Sequence, residues 1–282
     1  MATQRTRHLI NQTIFHIVVI ALGYVMLYPI LWMVFNSFKT NAEIFNSGVL
    51  LPSSWKLDNF VRGWQFNRSV SFSVFFKNSF YYTIISTIGA VIASSLVGYG
   101  FARIPFRGRS FWYACMFLTI MLPYQVVMVP QFIIFHKLGW VNSFKPLIIP
   151  QFAGVPFFIF LMVQFIRQIP YELDDSAKID GCNRFSIYSR IIFPLIGPAV
   201  ITSTIFSFYW RWDDFLGPLL YLNKIRLFTV SLALRMFSDP MTSTDWGAIF
   251  AMGTLSLLPV LIIFLIFQKH IVQGLVTTGL KG

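Results

Sequence analysis

Charge is scarce in this chain. Of 282 residues only 11% are Asp, Glu, Lys or Arg, whereas an ordinary soluble domain carries about 25%. Cysteine is nearly absent: Cys115 lies in an apolar run and Cys182 in a polar connector, which excludes a disulfide framework or a cysteine zinc site. The four histidines are scattered and show no metal-ligand spacing. No HExxH, GxSxG or Gly-x-x-x-x-Gly-Lys-Ser/Thr string occurs, and no Gly-Lys dipeptide exists at all, so the chain holds no P-loop of its own. These absences argue against a membrane-embedded enzyme and against nucleotide hydrolysis by this polypeptide.

What fills the chain is apolar. Hydrophobic residues make up 56% and aromatics 18%, with 32 Phe alone. A soluble fold of this size has too few charged groups to cover such surface, and disorder is excluded by the same figures. The formal net charge is +12, yet the 22 Lys and Arg are spread over connectors rather than gathered into a stripe, so they suit anionic lipid headgroups and no nucleic acid. The composition therefore predicts an all-α polytopic membrane protein.

Six stretches lack every charged residue and reach the roughly 20 residues that cross a bilayer: Thr13–Phe35, Asn78–Ala102, Ser110–Phe135, Pro146–Ile166, Ile191–Trp210 and Trp246–Gln268. They are too long and too uniformly apolar for barrel strands, so six helices are expected. The first run follows Arg5, Arg7 and His8 but exceeds a signal-peptide core, and is expected to be retained. Residues 1–12 and 269–282 then form the two termini on one side, around a single transmembrane domain over 13–268. The connectors on that side hold 11 Lys and Arg in 57 residues and the opposite ones 11 in 87, a density that favours cytoplasmic termini. Prolines recur inside the runs. Pro123 and Pro130, seven apart, are expected to kink the third span, as a water-lined path or packing around kinks would each permit.

The connector after the fourth span, about 169–194, is the most informative stretch. Pro170 suits a first helical position, and Glu172, Asp174 and Asp175 fall in early turns where the helix dipole favours anions. Gly181 suits a left-handed stop, and Asn183 a cap for a second helix running directly into the fifth span, with Pro194 one turn inside. The expected object is a helix, a glycine turn and a second helix held near the membrane plane and rigidly joined to a span.

The string Asp175-Ser176-Ala177, three residues, Gly181, then Ile191-Ile192-Phe193-Pro194 resembles the EAA loop of binding-protein-dependent ABC-transporter permeases. The chain is similar in particular to the carbohydrate-type branch related to the maltose permease subunits, and there to the shorter six-span partner. Supporting strings are Ala102-Arg103 with Arg107-Gly108-Arg109, Met121-Leu122-Pro123 through Val129-Pro130, Asp214-Phe215-Leu216-Gly217-Pro218-Leu219, and the tail from Gly274 to Gly279-Leu280-Lys281-Gly282. The sequence departs from the pattern in having Asp175 for Glu and Ser176 for the first Ala.

The resemblance implies that the connector is a cytoplasmic coupling helix seated on an ATPase subunit. Glu172, Asp174, Asp175, Ser176, Ala177, Asp180 and Gly181 would be its coupling residues. Asp175 would pair with a basic group of the ATPase, with Glu172 or Asp174 compensating for its shorter reach. Ala177 would permit close approach and Gly181 would supply the turn. It further implies a homologous second permease, two cytoplasmic ATPases that bind the ATP and magnesium, an extracytoplasmic solute-binding protein, and a bacterial or archaeal cytoplasmic membrane. The implied cargo is a di- or oligosaccharide, polyol or sugar phosphate, moved by alternating access. No cofactor or metal is expected in this chain.

Candidates for the translocation path are Pro123, Gln125, Pro130, Trp210, Asp213 and Asp214. The two aspartates could pair with Arg211, line the outer mouth or hold a coupling cation. Phe206, Phe208, Tyr209, Trp210 and Trp212 suit either sugar stacking or an interfacial aromatic belt. A non-sugar solute is the nearest alternative cargo. An ion-coupled secondary transporter is disfavoured because the six runs carry no carboxylate or lysine.

Overall fold

The computed structural model describes residues 2–46, 48–65, 70–237 and 244–279, and every regular element among them is helical. In chain order these are α1 (Ala2–Asn36), α2 (Asn41–Asn46), α3 (Asp58–Gln65), α4 (Phe72–Arg103), α5 (Arg109–Ile120), α6 (Tyr124–Lys137), α7 (Lys145–Ile148), α8 (Pro156–Gln168), α9 (Glu172–Ile179), α10 (Arg184–Ile187), α11 (Phe193–Leu195), α12 (Gly197–Trp212), α13 (Leu216–Tyr221), α14 (Val230–Met236) and α15 (Trp246–Gly279). The Leu280-Lys281-Gly282 end of the tail motif, and the side chains of Arg5, Arg7 and His8, lie outside the described residues.

Among the described residues, four helical stretches are long and apolar enough to cross a bilayer unaided: Ile10–Asn36, Phe72–Arg103, Lys145–Gln168 and Trp246–Gln268. The other two expected spans are bent pairs, so six crossings result when each pair counts as one. The third run does not merely kink. Arg109–Ile120 and Tyr124–Lys137 meet at 100°. Met121 and Leu122 close tight turns onto Leu118 and Thr119, and Pro123, with no N–H to continue the ladder, stands extended at ψ 136°. Pro130, by contrast, stays inside unbroken α6.

The fifth span also differs from expectation. Its pair is Arg184–Leu195 with Gly197–Trp212, bent by 77°, so the Ile191–Trp210 run is broken inside rather than straight. A π turn at Tyr188–Ile192 comes first, with the Phe193 N–H reaching back to the Tyr188 carbonyl. Pro194 and Pro198 each remove a donor, and the chain redirects at Ile196 between them. The second hairpin helix is thus joined to the span through an elbow, not a straight rod.

The chain packs as two compact units, Met1–Phe72 with Leu234–Leu258, and Ser73–Ala233 with Pro259–Gly282. In the first, Trp32 packs edge-on to Phe250 at 5.0 Å, Asn59 donates to the Ser37 and Lys39 carbonyls at 2.8 Å each, and Arg62 pairs with Asp245 at 2.8 Å. In the second, α4 crosses α8 so closely that a Cβ at Gly98 would stand 2.8 Å from that of Met162. Tyr99, Met162, Ile166, Ile187, Ile192 and Ala177 fill one core there, so the hairpin is built into the same hydrophobic mass as these two helices. Val155 N–H donates to Ser94 Oγ, and the hydroxyls of Ser95 and Tyr188 meet at 2.6 Å, so α4 supplies the partners of these two groups.

Candidate functional site

The connector forms a helix–turn–helix hairpin. Pro170 precedes α9 rather than opening it; Tyr171 is the N-cap, and Glu172, Asp174 and Asp175 occupy the first turn. Gly181 turns the chain at φ 78°, which a residue with a side chain adopts only with strain. Its N–H and that of Cys182 bond back to the Lys178 and Ala177 carbonyls at 3.0 and 2.9 Å, closing the end of α9. Asn183 Oδ1 accepts from the Ser186 N–H at 2.8 Å and caps α10.

One face of α9 turns inward. Asp174 and Ala177, three apart, are both buried. Asp174 Oδ2 lies 3.1 Å from Arg103 Nε, and the two side chains keep only 6% and 3% of their exposure. The Nε–H is not aimed at that oxygen, so the contact is ionic rather than a hydrogen bond. Arg103, the last residue of α4, also donates to the Ile169 carbonyl and lies 3.9 Å from the centre of the Tyr171 ring. The Tyr171 hydroxyl donates to the Ala102 carbonyl at 3.3 Å. One arginine therefore clamps the start of the hairpin to the end of α4.

The opposite face is open. Glu172, Asp175, Ser176 and Asp180 are exposed, and Asp175 holds Lys178 at 2.8 Å with both side chains more than half exposed. The Asp175 hydrogen bond raises the Lys178 ammonium above its usual pKa. Among these polar groups stand three bare apolar side chains, Leu173, Ile179 (87% exposed) and Phe185 (68% exposed). Apolar groups of this size, rimmed by charge, mark a surface that another protein or the membrane covers.

A second feature is a polar cavity of about 360 Å³, lined by residues that include Tyr82, Tyr124, Gln131, Gln151, Trp210, Arg211, Asp214 and Tyr221. Asp214 accepts from the Tyr82 hydroxyl at 2.7 Å and from the Gly217 N–H at 3.0 Å, while Arg211 donates to Gln151. Trp210 stacks on Phe158 at 5.4 Å with rings 9° apart. Carboxylate, guanidinium, amide and phenol face one space, a mixture of donors and acceptors that suits a hydroxyl-rich solute.

Of the six path candidates, Trp210 and Asp214 line this cavity. Pro123, Gln125 and Pro130 do not, because the 100° turn at Pro123 presents Tyr124 and Gln131 there instead. The signal for that face was the seven-residue spacing of Tyr124 and Gln131, two helical turns on one side. Asp213 ends α12 in an exposed position. Among the described residues the ion pairs are Arg62–Asp245, Arg103–Asp174 and Lys178–Asp175, so Arg211 is bound to neither Asp213 nor Asp214. Asp174 and Ala177, grouped with the outward coupling residues by sequence, face the protein's own core, and Arg103, which the sequence offers only as part of the Ala102-Arg103 string, is the partner of Asp174. Among the described residues no group of three His, Cys, Asp or Glu gathers as metal ligands would, and both cysteines are free thiols.

Comparison with known proteins places these features in a family. Residues 90–277 match the model of the binding-protein-dependent transport system inner membrane component. The chain is 36% identical to the probable ABC transporter permease protein YurM of Bacillus subtilis, over 90% of this chain and 84% of that one. It is 32% identical to the multiple sugar-binding transport system permease protein MsmG of Streptococcus mutans, over 92% and 93%, and 31% identical to the trehalose/maltose transport system permease protein MalG of Thermococcus litoralis, over 93% and 94%. Its fold matches a chain of a bacterial ABC transporter involved in the import of the acidic polysaccharide alginate, with a TM-score of 0.82 at 20% identity, over 92% and 96%. The relatives are transport components rather than enzymes. The chain belongs to the inner-membrane permease components of binding-protein-dependent transport systems.

Proposed function

We propose that this permease is one of two paired membrane subunits of an ATP-driven importer for a carbohydrate, a di- or oligosaccharide, polyol or sugar phosphate. Two cytoplasmic ATPases bind the ATP and magnesium, an extracytoplasmic binding protein delivers the solute, and both termini lie in the cytoplasm. Residues 13–268 act as one transmembrane domain, which the family match across both compact units supports. The names of the sugar-transporting relatives support the cargo.

The observation that carries the reading is the two-sided hairpin. Its inner face is locked to α4 by Arg103 and Asp174, and its outer face offers Glu172, Asp175, Ser176 and Asp180 around bare Leu173, Ile179 and Phe185. An ATPase seated on that outer face moves the hairpin as a body. The clamp passes the displacement to α4, and the elbow at Ile196 passes it to α12, whose far end carries Trp210 and Arg211 of the polar cavity, with Asp214 just beyond it. Asp175 pairs with a cation of the ATPase, exchanging Lys178 for it, and Gly181 keeps the turn.

Reconstituted importer in sealed vesicles tests this. Asp175→Lys should leave assembly intact and lower sugar uptake per ATP hydrolysed by about tenfold, the loss of one well-placed ion pair between proteins. Unchanged coupling in that variant would remove the hairpin's assigned role. Wild-type uptake should cease on ATP depletion and survive collapse of ion gradients. The reverse pattern would replace the reading with an ion-coupled carrier.

A further inference from the structure

Near the hairpin end of the second unit lies a different cavity, of about 820 Å³, that none of the coupling or path residues lines. Its wall is apolar: Phe106 from the link before α5, and Tyr113, Phe117 and Leu118 along α5 itself. Tyr113 and Phe117 meet edge-on at 5.0 Å, and Phe117 continues onto Phe160 of α8 at 5.3 Å, so the floor is a fixed aromatic surface. Two guanidiniums stand on this wall. Arg109 opens α5, and Arg167, near the end of α8, is held 5.6 Å from the centre of the Tyr113 ring. Among the described residues neither has a carboxylate within ion-pair reach.

Position decides what such a trough can take. Phe111, Trp112 and Leu118 of α5 are all more than half exposed, so this helix presents its apolar surface outward, as a helix in hydrocarbon does. The two arginines stand at the ends of membrane helices, where headgroups lie. Arginine binds phosphate oxygens in planar, paired fashion and is desolvated more readily than lysine. A free phosphate fills a small part of 820 Å³ and leaves the aromatic floor uncovered, whereas an anionic phospholipid satisfies both parts at once.

We infer that this trough is a binding site for an anionic phospholipid, with the phosphodiester between Arg109 and Arg167 and the first acyl carbons along Phe117 and Leu118. Basic pockets between membrane helices select anionic headgroups for this electrostatic reason. The bound lipid braces the first half of the bent third span, α5, against α8.

The test uses the complete transporter, purified in neutral detergent and supplied in turn with phosphatidylglycerol, phosphatidylcholine or inorganic phosphate, with retained lipid read by native mass spectrometry. The expected result is a roughly 30-fold preference for phosphatidylglycerol over phosphatidylcholine, the contribution of two basic side chains at a membrane surface. The Arg109→Gln, Arg167→Gln pair should abolish the preference, and Arg109→Lys, Arg167→Lys should keep most of it. Equal retention of the two lipids by wild type, or an unaltered preference in the double Gln variant, would overturn the site. So would displacement of the lipid by millimolar inorganic phosphate, which would mark a soluble-anion site. Should the double variant not assemble, a photoactivatable phosphatidylglycerol on the unaltered complex should label residues 105–118 and 160–168, and labelling confined to other segments would equally refute the assignment. None of these readouts involves uptake, so their failure leaves the transport reading standing.

Discussion

Asp174 and Asp175 are neighbours of one chemistry in opposite surroundings. The first is buried on Arg103 and the second is exposed beside Lys178. Asp174→Asn leaves the Arg103 charge buried without a counter-charge, a defect that ordinarily costs about 3–5 kcal/mol. The lower end is expected, since the guanidinium keeps the Ile169 carbonyl and the Tyr171 ring face. Replacing both partners, as Arg103→Met with Asp174→Leu, should recover most of that loss in a thermal melt, because a buried pair is often no more stabilising than packed apolar groups. Uptake per ATP should stay low in the double variant if the charge pair also carries motion. Gly181→Ala should cost about 1–2 kcal/mol from the left-handed backbone alone, since its Cβ would meet open space. Gly181→Asn, which tolerates that region, should cost less in the same melt. The turn and its cap were legible because Gly181 and Asn183 act on their own backbone neighbours. The Arg103–Asp174 pair joins positions 71 apart in sequence, and no local pattern tells which of four nearby acids turns inward.

At the scale of elements, the absence of charge marked the six runs well, because a charged side chain in hydrocarbon is costly wherever it falls. Their interiors were harder to read. Pro123 and Pro130 are the same residue in similar apolar surroundings, yet one ends a helix at a 100° turn and the other lies within one. A missing donor only permits a break. At Pro123 the freed Thr119 carbonyl takes the Leu122 N–H as the chain turns, and nothing in hydropathy distinguishes that proline from Pro130. The fifth run likewise hid an elbow at Ile196, between Pro194 and Pro198 and just after a π turn that hydropathy does not register. The α4–α8 crossing is more strictly determined. Gly98→Ala places a methyl carbon 2.8 Å from the Met162 Cβ, which cannot swing aside as a side-chain tip can. Separating the helices to relieve it should cost about 1–3 kcal/mol. A lowered melting temperature of the purified complex is the expected readout. No change on Gly98→Ala would mean that the crossing is loose.

At the scale of the molecule, the proposed direction of transport rests on which end of the helices carries the hairpin. Charge density favours that end as cytoplasmic, but by a margin of distribution rather than of number. Labelling can decide it because the outer face of α9 is accessible along its length. In a background with Cys115→Ser and Cys182→Ala, Ser176→Cys places a thiol on that face, and Lys224→Cys places one on an exposed residue of the connector beyond the fifth span. A membrane-impermeant maleimide applied to intact cells should modify Lys224→Cys and spare Ser176→Cys, and inverted vesicles should give the opposite result. Adding the purified ATPase to stripped inverted vesicles should then protect Ser176→Cys, since an ATPase seated on Asp175 and Ile179 covers the neighbouring position. Modification from the cell exterior would place the hairpin on the wrong side to meet any ATP-driven partner. Modification from the inside without protection would keep the orientation and move the docking surface elsewhere on the chain.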